Sequence, residues 1–209
     1  MRLFHRALAI EENSTGKANK EIEYVFYGKI INFTDLNKAS SKEHHSQWEV
    51  RIPETNLNAG KGTIRVRKTI PNITDVDKTE YVHTTKVSTK DKLKRIEVSI
   101  PTTVDNFNQM LILSERGLVK DRYFFPVKGT DLVFEFDVFY SPGATVGSGK
   151  YIEWCKIDIE VNDSQTIIPE LPIDVSDLII AQEGNRTIEE DNLINSLYAN
   201  EFNSKNVFL

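Results

Sequence analysis

A chain of 209 residues with 39% apolar and 27% charged side chains can bury one sizeable core and is too apolar for global disorder. The single Cys155 excludes an internal disulfide, no Cys/His cluster has structural-zinc spacing, and no apolar run approaches the roughly 20 residues that span a bilayer. The net charge of −5 is uneven: residues 162–209 hold nine acidic and two basic residues, which leaves the rest near +2, a balance that argues against general attraction for double-stranded DNA.

The expected organisation is an N-terminal extension (1–19), a strand-rich body (20–161) and an acidic tail (162–209). Glu21–Tyr27 is rich in aromatic and β-branched residues and reads as the first strand. Residues 34–42 suit one or two helical turns. Trp48–Ile52 and Thr63–Thr69 flank the turn signal Asn58-Ala59-Gly60-Lys61-Gly62 and predict a hairpin. Strands follow at Glu80–Val87 and Leu93–Ile100. From Val104 to Arg116 apolar residues recur at helical spacing, with Gly117 as the stop. Three further strands are predicted at Leu118–Val127, Leu132–Tyr140 and Tyr151–Val161. In the tail, helices are expected at Val175–Gln182 and Ile188–Phe202, the second with a stripe of Leu193, Ile194, Leu197 and Tyr198 that suits docking of a protein partner through residues 188–202.

One unit recurs along the body: two charged residues around one other residue, usually apolar. It occurs as Glu21-Ile22-Glu23, Arg65-Val66-Arg67, Arg95-Ile96-Glu97, Lys120-Asp121-Arg122, Glu135-Phe136-Asp137 and Asp158-Ile159-Glu160. Alternation along a strand sends both charges of a unit to one face. For a single unit, a solvated outer face explains this. Basic pairs spaced about 6.5–7 Å along a strand also suit an anion with several negative groups.

The order of these units over residues 20–161 resembles the CYTH family, the triphosphate tunnel metalloenzymes, which includes adenylyl cyclases and thiamine, inorganic and RNA triphosphatases. Glu21 and Glu23 match its opening acidic pair, Arg65 and Arg67 its Arg-x-Arg strand, and Thr84-Thr85-Lys86 its Thr-x-Lys strand. Arg95 and Glu97, then Lys120 and Arg122, then Glu135 and Asp137, and finally Asp158 and Glu160 fall in the remaining places. The resemblance implies an α+β fold: an antiparallel barrel of about eight strands, with its charged faces turned inward, helices outside and the helical acidic tail appended.

It also implies roles. Arg65, Arg67, Lys86, Arg95, Lys120 and Arg122 would bind phosphates; Glu21, Glu23, Asp158 and Glu160 would hold Mg2+ or Mn2+; Glu97, Glu135 and Asp137 would line the tunnel. Arginine suits bidentate phosphate contacts, and carboxylates suit hard divalent cations. The implied ligand is a triphosphate-containing small molecule or the 5′ end of RNA, and the implied activity is metal-dependent hydrolysis. Two residues depart from the pattern: Val25 stands in the place of a lysine and Ser99 in that of a glutamate. A non-catalytic binding module is therefore an alternative, as is a structural or assembly protein that docks through its tail. The Asn- and Lys-rich composition is compatible with a viral source, and the expected location is the cytoplasm, that of the host or the virion if viral.

Weaker features read as structural. Glu43-His44-His45 is expected in a solvated loop. Cys155 is expected to be an inert strand residue, and Trp48 and Trp154 to be packing residues.

Overall fold

The computed structural model describes residues 10–12, 21–52, 62–71, 76–88, 94–114, 116–141, 144, 146–161, 166–181 and 187–199. Strand alternation organises them. In Val133–Tyr140 (β8), Phe134, Phe136 and Val138 enter one core while Glu135 and Asp137 take the opposite face. The neighbouring strands repeat the pattern, so one face of the sheet is apolar and the other carries the charges, with a smaller apolar cluster at one end of it.

Among the described residues, ten strands form a single sheet: Ile10–Glu12 (β1), Glu21–Ile30 (β2), Ser41–Ile52 (β3), Gly62–Ile70 (β4), Glu80–Ser88 (β5), Lys94–Pro101 (β6), Arg116–Pro126 (β7), β8, Tyr151–Val161 (β9) and Val175–Ile180 (β10). Their order is β1-β6-β5-β4-β3-β7-β8-β9-β2-β10. All pairings are antiparallel except β1 with β6. The expected barrel of about eight strands is corrected here, because the long strands do not close on one another. Among the described residues, β6 and β2 are joined only through the three-residue β1, which pairs with both.

The apolar face carries the core. Tyr24, Phe26, Tyr123, Phe125, Phe134, Phe136, Ile157 and Ile159 pack beneath Leu36, Ile168 and Ile173. Further along, the helix Val104–Leu113 (α1) sets Phe107 against Trp48 and Val66, with Phe107 and Tyr81 ring centroids 5.2 Å apart. Thr103 caps α1 by accepting from Asn106 N at 3.2 Å. The helix ends at Leu113 rather than Arg116, and Gly117 is not its stop but a strand residue. A Cβ there would lie 2.3 Å from the Trp48 ring, so the indole requires glycine opposite it.

Three other expectations are corrected. The 3-10 turn is Phe33–Lys38, so β3 begins at Ser41 and the histidine pair lies within a strand. Val175–Ile180 is not a helix but an edge strand on β2, with a bulge between Ser176 and Ile179 where Asp177 has φ 51°. Six residues rich in Val and Ile gain more from the free edge of β2 than from a helix too short to propagate. The second tail helix, Ile188–Ala199 (α2), sends Ile194 into a cluster with Val25, Tyr27, Ile179 and Ala181. That side of the expected docking stripe is spent on the sheet. The side chains of Leu197 and Tyr198 lie outside the described residues. Among the described residues, no helix is long and apolar enough to cross a membrane.

Candidate charged binding face

The ladder registers decide where the sequence-predicted residues lie, since residues paired across strands share a face. Glu23 pairs with Glu160, and Asp158 with Glu135. Asp137 pairs with Arg122, and Lys120 with His45. Arg65 pairs with both Glu49 and Thr84. Lys86 pairs with Thr63 and Glu97; Glu11 pairs with Arg95 and Glu21. By register, all thirteen predicted positions fall on the charged face. The side chains of Glu21, Lys86, Arg95 and Glu97 lie outside the described residues.

The described charges form a connected network. Arg122 grips Asp137 in bidentate fashion, Nε to Oδ1 at 2.7 Å and Nη2 to Oδ2 at 2.9 Å, and also contacts Glu135. Its Nη2 lies 3.6 Å from Asp158 Oδ2. Lys120 donates to Asp137 Oδ2. Both expected phosphate-binding cations on β7 are thus held by the expected tunnel-lining carboxylates. Arg65 and Arg67 stand two strands away on β4, half-buried and beside Glu49 and Gln47 in register.

Burial is deep, with relative exposures of 0% for Asp137, 3% for Asp158 and 8% for Lys120. Burial alone would raise the Asp137 carboxyl, but Lys120 and Arg122 outweigh it and hold the group well below the carboxylate range. Asp158 goes the other way: burial pushes it up to about 6 against the pull of Lys156 and Arg122. Burial likewise raises the Cys155 thiol to about 12, consistent with an inert strand residue.

Sequence reasoning missed four members of this face. Lys156 donates to Asp158 Oδ2 at 2.6 Å and reaches Glu23 Oε1 at 3.7 Å. Glu43, His45 and Gln47 line β3 between the cations of β7 and β4. Their signal was the unbroken two-residue step Glu43-x-His45-x-Gln47-x-Glu49, and equally Lys156-x-Asp158-x-Glu160. The expectation of a solvated loop for Glu43-His44-His45 is corrected: both imidazoles are buried. His44 turns to the other face, where its Nδ1 meets Asp121. That buried carboxylate also accepts from Tyr140 at 3.0 and 3.1 Å and from Tyr151.

Glu23 and Asp158 do not fit a metal in the expected way. Lys156 already bridges Asp158 and Glu23, and among the described residues no three His, Cys, Asp or Glu side chains converge to hold an ion. Asp158 Oδ1 is buried without a hydrogen-bond partner among the described residues.

His45 supplies a pH-dependent term. Burial, reinforced by Lys120, Arg67 and Arg122, lowers its imidazole from 6.5 to about 4 against the hydrogen bond to Glu43, 2.9 Å from Nε2 to Oε2. A depressed pKa gives stability that is complete above the unfolded value and lost as pH falls through the folded one. The His45 contribution should therefore fall on the order of 3 kcal/mol between about pH 6.5 and 4. In urea melts it is offset by Asp158, whose raised carboxyl favours the folded state as it takes up a proton over the same range, and His45→Gln should make the protein less sensitive to acid than the wild type. An unchanged slope in the variant would assign the acid sensitivity elsewhere.

No family model matches the chain, and no curated protein matches it. Among solved structures it is similar to the PH1819 protein from Pyrococcus horikoshii OT3, at 19% identity over 71% of this chain and 79% of that one, with a TM-score of 0.42.

Proposed function

We propose that the chain is a divergent relative of the triphosphate tunnel proteins and that its charged face binds a triphosphate- or polyphosphate-containing ligand. In this reading the charged face of the sheet is itself the ligand surface, with β1 pairing with both β6 and β2. The observation that carries the proposal is the shared face. Residues scattered from Glu21 to Glu160 fall on it by register, and Lys120, Asp137 and Asp158 are buried there although the main core lies on the other side. Among the described residues, only the cluster of Val25, Tyr27 and Ile194 covers one end of this face. Buried charge needs compensation, and the side-by-side strands β7, β8, β9 and β2 supply it to one another.

The ligand contacts assigned are Arg65 and Arg67, with Lys120 and Arg122 exchanging carboxylate oxygens for phosphate oxygens of the same geometry. The reading is of binding rather than turnover. Val25 provides no cation in the opening strand, and Ser99 shares a 2.9 Å hydrogen bond with Thr84 where the resembled pattern has a carboxylate. A small triphosphate and the 5′ end of an RNA present the same group. Calorimetric titration with inorganic triphosphate, a nucleoside triphosphate and a 5′-triphosphorylated RNA should show saturable binding, at least about tenfold tighter than to monophosphate. Equal, weak heats for all four would reject the reading and leave a structural role.

A further inference from the structure

We propose that Lys156 is a built-in cation that holds the acidic end of the charged face in the place a divalent metal would take between Glu23 and Asp158, so that ligand binding on this face needs no metal. The functional half of this inference rests on the triphosphate reading; the half that concerns the carboxylates does not.

The ammonium lies 2.6 Å from Asp158 Oδ2 and 3.7 Å from Glu23 Oε1, two of the oxygens a metal would need. Arg122 Nη2 approaches the same Asp158 oxygen to 3.6 Å. A divalent ion bound there would face two positive groups within a few ångströms in a buried setting, where charge repulsion is weakly screened. It would also need several oxygen ligands, whereas an ammonium is satisfied by three acceptors and brings one charge. The chain supplies this cation from the same strand as its main partner. Lys156 and Asp158 are two residues apart on β9 and share a face, so folding β9 delivers the pair together. Val25, on the adjoining strand opposite Asp158, adds no charge. Lys156 is therefore the cation that keeps a nearly fully buried carboxylate compensated at this end.

Mn2+ alone is the first probe, followed by electron paramagnetic resonance. The wild-type protein should bind no stoichiometric Mn2+. Lys156→Gln should gain a site that binds at least about tenfold more tightly than any wild-type background, and Lys156→Arg, which keeps the charge, should gain none. The second probe is inorganic triphosphate. Wild-type affinity should agree within about threefold in EDTA and in Mg2+, whereas Lys156→Gln should lose about tenfold in EDTA and recover in Mg2+. Stoichiometric Mn2+ binding by the wild type, or a wild-type affinity that collapses in EDTA, overturns the proposal. Both measurements use the wild-type chain, so a variant that fails to fold does not shield it. If triphosphate binds under neither condition, the proposed function fails, while the Mn2+ comparison still decides the role of Lys156.

Discussion

Asp137→Asn should destabilise the protein by about 3–5 kcal/mol, the cost typical of removing one partner from a buried ion network. Asp137 is fully buried and receives Arg122 through two hydrogen bonds and Lys120 through a third. Asparagine fills the same volume but cannot balance two cations. Arg122 retains Glu135 and Asp158, so the burden falls on Lys120, whose ammonium burial already pushes down to about 7 against the attraction of Asp137. Adding Lys120→Met should recover part of the loss, because the charge left without compensation is then gone. Urea denaturation checks this: the midpoint should fall with an unchanged slope for the single variant and rise partway back for the double. A shift below about 1 kcal/mol would mean that water reaches Asp137 and that the face is open to solvent.

Replacing Arg65 and Arg67 by alanine should weaken triphosphate binding by about 1.5–3 kcal/mol each, the range for charge-assisted hydrogen bonds, or about ten- to a hundredfold per residue. Two guanidinium groups two residues apart on one face of β4 suit an anion with several negative groups. Lys120 and Arg122 are held by Asp137, and part of any phosphate contact they make is offset by the carboxylate contact given up. Arg65 and Arg67 are half-buried on β4, next to neutral Gln47 and Thr84 as well as Glu49 in register. Calorimetry on variants whose melting temperature is unchanged is the measurement. Equal affinity in wild type and variants would move the site off β4.

Much of the charged face was legible because alternation is a local rule. Arg65-Val66-Arg67 and Glu135-Phe136-Asp137 state their own faces, and the ladder keeps each unit in phase with the next. What the sequence concealed depends on partners distant along the chain. Val175–Ile180 carries helical spacing yet becomes a strand because β2 offers it an edge. Gly117 resembles a helix stop until Trp48, brought beside it by the pairing of β3 with β7, supplies another reason for a glycine. Lys156 and His45 were overlooked for a similar reason. Each extends a charged alternation by one step, and its significance depends on Asp158, Glu23, Lys120 and Arg67, which only the folded sheet places nearby. The seam at β1 was also illegible: three residues pairing with β6 and β2 have no pattern of their own.

The central claim is that the charged face is a ligand site. A crystal structure of the protein grown with inorganic triphosphate tests it most directly. Density for the phosphate chain should lie against Arg65 and Arg67 on β4 and extend toward Lys120 and Arg122 on β7. Density on the apolar face or at the molecular surface, or an unchanged network with no phosphate among these side chains, would contradict it.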